Sequence, residues 1–91
     1  MPQMYVNPDA LRDVAGSLAK FSGCVTENMD RLQAQASQLG NSWRDEGFSR
    51  FMVEFQRVNA VLRHFVEECD KTVPSLLRDA SAAEDYLRKG L

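Results

Sequence analysis

The sequence predicts an all-α protein, an antiparallel helix-turn-helix hairpin that dimerises into a four-helix bundle. Three observations carry that expectation. Two long stretches place apolar residues at every third or fourth position, a single break at Gly40-Asn41-Ser42 separates them, and the apolar stripe is wider than one two-helix seam can cover. Residues 1–91 read as a single helical-hairpin domain: helix 1 over about 8–39, a turn at 40–43, and helix 2 over about 44–88 with a kink near Pro74.

The first helix is marked at its start. Asn7 suits the N-cap, Pro8 the first helical position, and Asp9 the positive end of the helix dipole. Leu11, Leu18, Val25, Leu32 and Leu39 then recur at seven-residue intervals. Val14, Phe21, Met29 and Ala36 form the expected second row, giving a heptad seam. Gly40 follows the last leucine, where a left-handed C-cap is expected, and Asn41 and Ser42 favour turns. A new cap is expected between Ser42 and Asp45.

The second stripe runs Phe48, Phe51, Phe55, Val58, Leu62, Phe65, Cys69, Val73, Leu76, Ala80, Ala83 and Leu87. Glu46 with Arg50, Glu67 with Lys71 and Glu84 with Arg88 stand four residues apart, each a pair contributing a few tenths of a kcal/mol. Pro74 conflicts with a regular helix interior, where it costs about 3 kcal/mol. A kink, or a break with a fresh cap at Thr72, is the expectation there. A connection of three or four residues makes the helices antiparallel.

Composition narrows the function. Hydrophobic residues make up 44% of the chain and charged residues 26%, as in soluble globular proteins. The net charge of -2 is spread along the chain without a basic patch, which argues against nucleic acid as a partner. Apolar runs reach only two or three residues, so no membrane insertion is expected. Met1 to Tyr5 lacks the basic region and apolar stretch of a secretory signal peptide. Cys24 and Cys69, counted from a turn at Gly40, should differ in height by about 15 Å, too far for a disulfide.

Catalytic and metal chemistry find little support. His64 has Glu67 and Glu68 on its helix face, a sparse ligand set that reads better as surface. Neither cysteine is paired with a histidine on its own face, and no phosphate-binding glycine loop occurs. No enzymatic activity and no cofactor are expected.

Interaction is the remaining class. Met52, Phe55, Val61, Val66, Val73 and Leu77 are the expected partner interface, because they lie on or flank the main stripe of the second helix. A homodimer or a heterodimer with a related hairpin would cover them.

The turn reads Leu39-Gly-Asn-Ser-Trp43-Arg-Asp45-Glu-Gly-Phe-Ser-Arg-Phe51. This resembles the WXG-motif family of small type VII secretion substrates, the early-secreted-antigen-like proteins. In that family a leucine precedes a tryptophan by four residues, a glycine follows two after the tryptophan, and a phenylalanine eight after it. Leu39, Trp43 and Phe51 match, and Val6-Asn-Pro-Asp-Ala-Leu11 looks like the family's usual start. Asp45 stands where the glycine belongs, a position where aspartate is a competent helix-start residue.

The resemblance implies an antiparallel dimer with Trp43 at the bundle tip, contacting a partner or the secretion machinery, or simply packing on Leu39 and Phe48. It also implies export without a cleaved signal peptide, from a cytoplasmic state before export. Members that bear the export signal carry a tyrosine followed four residues later by an acidic residue, whereas Tyr86 is followed at that distance by Gly90. The signal is therefore absent or degenerate. That favours a second expectation, an intracellular adaptor or chaperone-like hairpin sheathing an amphipathic helix of a larger client or toxin. A filament-forming needle-type subunit is a third, lowered by the absence of a proline in the turn.

Overall fold

A computed structural model describes residues 6–89. It contains two helices, α1 (Pro8–Leu39) and α2 (Glu46–Lys89), packed as a rod of 69 × 21 × 13 Å. Residues 1–5 and 90–91, and with them Gly90, lie outside the described residues.

α1 begins as its sequence requires. The Asn7 side chain accepts from the backbone N–H of Asp9 at 2.8 Å and of Ala10 at 3.4 Å, and Pro8 occupies the first turn, where its missing N–H costs nothing. At the other end Gly40 differs from expectation: it is right-handed, with φ -62 and ψ -17. Its lack of a side chain answers a steric need instead, since a Cβ there would sit 2.9 Å from the Phe48 ring. Leu39 keeps its carbonyl satisfied by accepting from the N–H groups of Ser42 at 3.2 Å and Trp43 at 2.9 Å.

α2 runs through Pro74 as one element, so the fresh start considered at Thr72 does not occur. The Thr72 hydroxyl instead donates to the Glu68 carbonyl at 2.8 Å, a bond internal to the helix. Proline removes the N–H that would serve the Asp70 carbonyl one turn back.

The seam between the helices differs in composition from the expected one. The buried row of α1 is Ala15, Ser22, Met29 and Ala36, seven residues apart throughout. Val14 and Phe21, expected in that row, are 56% and 52% exposed. On α2 the buried residues are Asn59, Cys69, Ala80 and Ala83, with Met52, Val66 and Val73 half-buried beside them. Small side chains at the contact let the two backbones approach closely, and the bulky residues Phe21, Leu32, Val58, Leu62 and Phe65 are left exposed. Two polar ties fix the register. Ser22 donates to Asp70 at 2.9 Å, and Asn59 donates to Gln33 at 3.4 Å.

That register corrects the cysteine geometry. With Ser22 level with Asp70, Cys24 and Cys69 lie at nearly the same height, and the expected offset is absent. The connection runs to Asp45, so counting from Gly40 placed α2 too far along the rod. Both thiols are free, Cys69 buried in the seam and Cys24 exposed.

The ion pairs also rearrange. Glu46 and Arg50 do pair, at 3.6 Å and nearly fully exposed. Arg88 bonds Asp85 rather than Glu84, and Lys71 approaches Glu68 rather than Glu67. Glu84 is drawn across the hairpin to Arg12, whose two guanidinium nitrogens donate to its two oxygens at 2.9 and 3.1 Å. A bidentate fork is the stronger geometry.

Candidate functional site

Two features stand out: the aromatic tip around the connection, and an apolar groove beside it. At the tip, Asp45 is the N-cap of α2. Its Oδ1 accepts from the Gly47 N–H at 2.7 Å, and its carbonyl accepts from the Phe48 N–H at 3.1 Å. The same Oδ1 accepts from the Trp43 indole Nε1 at 2.8 Å. One carboxylate oxygen thus starts the helix and holds the tryptophan. Gly47 supplies the space: a Cβ there would lie 2.8 Å from both the indole and that oxygen.

The half-buried Trp43 ring meets Phe48 edge-on at 5.9 Å and lies tilted on Phe51 at 6.0 Å. Phe51 stacks on Phe55 at 5.8 Å. Leu39 joins this cluster, lining a small recess with Leu32, Ala36, Phe51 and Phe55. The four motif positions Leu39, Trp43, Asp45 and Phe51 therefore converge on one end of the rod.

The cluster continues into a groove of about 430 Å³ between the helices, walled by Met29, Leu32, Phe51, Phe55, Val58 and Leu62. Its polar members are internally satisfied. Glu54 is paired with Arg57 at 3.0 Å, and Asn59 is bonded to Gln33. Further from the tip, Phe21 and Phe65 meet edge-to-face at 5.9 Å across the seam, with 52% and 43% of their surfaces exposed. Phe51, Val58 and Phe65 stand seven residues apart, and Phe21 and Leu32 eleven, so each set occupies one helix face.

The residues expected as partner interface do not form one surface. Phe55 lines the groove. Val66 and Val73 line the opposite side of the hairpin, near Thr26 and Asp70, and Met52 is half-buried. Val61 and Leu77 are exposed at 60% and 42%, outside the groove. Hydropathy spacing alone missed Phe21, Leu32, Val58, Leu62 and Phe65 as open surface, because it assigned them to the core. The heptad of small residues in α1 was the available signal: a seam closed by alanine and serine leaves the neighbouring large residues outside.

Tyr86 is half-buried. His64 is exposed, with Glu68 at 3.9 Å and Lys71 sharing that carboxylate, so the local charges are those of a solvated helix face. Among the described residues no group of three or more His, Cys, Asp or Glu side chains converges in a way that could hold a metal ion. No described helix is long and apolar enough to cross a membrane.

Three crystal structures of the secreted protein EsxB from Bacillus anthracis strain Sterne superpose on this hairpin with a TM-score of 0.79 each. A variant with one glycine changed to alanine is 19% identical, with 93% of this chain and 98% of that one covered. A selenomethionine form is 19% identical at 93% and 97% coverage. A variant with one glutamate changed to glutamine is 18% identical at 93% and 94%. At that identity the likeness establishes the fold. Comparison with curated protein sequences gives no match. A family model, WXG100, described as proteins of 100 residues with WXG, matches residues 3–86. With nearly the whole length matched, and with Asp45 supplying the helix cap where the motif has its glycine, the chain belongs to the WXG100 family.

Proposed function

We propose that this hairpin is a type VII secretion substrate, or the dimer partner of one, and that it works by binding a related hairpin without catalysing a reaction. The carrying observation is the unpartnered apolar face: Phe21, Leu32, Val58, Leu62 and Phe65 stand open to solvent beside a groove walled by their neighbours. Large side chains contribute about 1.5–3 kcal/mol each when fully buried, and the hairpin's own seam buries mainly small ones. Docking a second hairpin completes a four-helix bundle and covers that face. Of the residues read from the sequence as interface, Phe55 belongs to this surface and the rest support the hairpin or lie elsewhere. The tip around Trp43 is held rigid by Asp45 and presents an aromatic cluster to a partner or to the secretion machinery.

The secreted nature of EsxB and the family of the chain support export by the type VII route, from a cytoplasmic state. The test is the culture medium. The protein should accumulate there in wild-type cells and remain inside when the secretion system's membrane ATPase is deleted. Equal retention in both strains would overturn the export reading.

One observation favours the alternative of an intracellular adaptor: position 90, four residues after Tyr86, is glycine where signal-bearing members have an acidic residue. On that reading the groove receives an amphipathic helix of a larger client or toxin. Retention inside the cell together with stoichiometric purification of a larger protein would select it.

A further inference from the structure

We propose that the end of the rod beyond Pro74 opens as a unit, residues 75–89 of α2 parting from 8–19 of α1 while the tip stays folded, with Arg12–Glu84 as the latch. This goes beyond the proposed pairing and export and depends on neither. Ser22 donates to Asp70 at 2.9 Å, so the two helices are level at that height. Pro74 stands one turn further along α2, opposite about residue 18 of the antiparallel α1.

Three helix-weakening residues gather around that height. Pro74 has no N–H for the Asp70 carbonyl, so the ladder of α2 lacks a bond where the unit parts. Gly16 and Gly23 weaken α1, because glycine in a helix interior is less favourable than alanine. A Cβ at either meets nothing within 4 Å, so no close approach requires them. Gly23 and Pro74 also line one recess of about 470 Å³, together with Ala19, Ser22 and Val73. Side chains around a recess lack partner atoms on one side, so the helices hold each other less firmly at that level.

Burial divides at the same line. On the tip side Met29 is buried, and Trp43, Phe48, Phe51 and Phe55 pack on one another. Asn59–Gln33 and Arg63–Asp30 tie the helices there at 3.4 and 3.6 Å. Beyond the line the buried residues are Ala15, Ala80 and Ala83, whereas Val14, Leu77 and Leu87 are exposed. An alanine withdraws one methyl group from water, so this end is held by little apolar area. Among the described residues, Arg12–Glu84 is the one hydrogen-bonded tie between the helices beyond Ser22–Asp70. It lies at the surface, where salt screens it. Segments with few buried apolar contacts are the ones that open below the global unfolding threshold.

The test is native-state amide exchange on the full chain, corrected for intrinsic rates. Residues 12–19 and 76–85 should exchange at least about tenfold faster than 52–68, and the two far segments should share one opening rate. Glu84→Gln should speed both far segments about two- to fivefold and leave 52–68 unchanged. High salt should reproduce that pattern. Pro74→Ala should slow both segments at least about tenfold, although residues 12–19 belong to the other helix. Cys69, buried on the tip side of Asp70, is a built-in boundary marker. Exposed Cys24 should react at once with a thiol reagent, and Cys69 should stay equally protected in wild type and Glu84→Gln.

Exchange beyond Pro74 as slow as at 52–68 would overturn the proposal. So would a smooth gradient from the chain ends with the two helices responding separately, which is ordinary fraying. Acceleration of 52–68 or of Cys69 labelling by Glu84→Gln would show that the hairpin opens as a whole, and would end it too.

Discussion

The indole N–H of Trp43 and the backbone N–H of Gly47 donate to a single oxygen of Asp45, at 2.8 and 2.7 Å. The glycine position of the motif is therefore occupied by a residue that performs two tasks. It caps α2, and it fixes the ring that Phe48 and Phe51 pack against. Replacing Asp45 by alanine removes both bonds. Loss of an N-cap alone costs about 1 kcal/mol, and the tethered indole adds to it. Thermal unfolding should show Asp45→Ala destabilised by about 1–2 kcal/mol. Its tryptophan emission should shift, whereas Asp45→Asn should keep most of the stability through its side-chain carbonyl.

Glycines in this chain should respond to alanine with opposite signs. Glycine in a helix interior is about 0.5–1 kcal/mol worse than alanine. At Gly16 a Cβ meets nothing within 4 Å, so Gly16→Ala should stabilise by that amount. At Gly47 the new methyl would lie 2.8 Å from the Trp43 ring and from the Asp45 carboxylate, and neither can yield without breaking the cap. Overpacking of that kind costs about 1–3 kcal/mol, more than the helix propensity returns. Gly47→Ala should therefore lower the urea midpoint. A rise would show that the tip is looser than its hydrogen bonds indicate.

The Arg12–Glu84 clasp predicts a pH dependence. The Arg12 guanidinium, chiefly by hydrogen bonding and then by charge, holds the Glu84 carboxyl below its ordinary value of 4.5. A depressed carboxyl stabilises the fold above its unfolded value and loses that contribution as pH falls through the folded one. Arg12 stays charged throughout, so only Glu84 titrates in this window. Wild type should exceed Glu84→Gln in urea midpoint at pH 7, and the gap should close below about pH 4.5. Both groups are largely solvated, and 1 M salt should narrow the gap at pH 7 as well.

Ser22 and Asp70 should be unequal when each is truncated, although they share one bond of 2.9 Å. Ser22 is buried, and its hydroxyl would be orphaned in Asp70→Ala, at a cost of about 1 kcal/mol or more. Asp70 is exposed, so in Ser22→Ala its carboxylate turns to water while alanine fits a seam already built from alanines. That variant should stay within about 0.5 kcal/mol of wild type in denaturant titrations. Equal losses would mean that the hydrogen bond itself, and not the orphaned group, sets the cost.

The sequence by itself determined the two helices, the break between them and the family. Asn7, Pro8, the seven-residue spacing and the Leu39–Trp43–Phe51 pattern act through contacts within a few turns of one helix or one connection, so local spacing is enough to read them. It also marked Asp45 as a helix-start residue, the task the structure gives it. What spacing could not decide is rotation. A stripe spans more than a quarter of a helix surface, and the line along which another helix touches it is set by how closely two backbones can approach. Tertiary packing chose the small residues Ala15, Ser22 and Ala36, with Met29, for that line, moved Phe21 and Leu32 outward, and sent Glu84 to Arg12 in place of Arg88. The same choice set the height of each residue on α2 against α1, and so brought Gly23 and Pro74 to one recess. Neither the rotation nor the height leaves a trace in the periodicity of a single helix, because both are energies of two surfaces meeting.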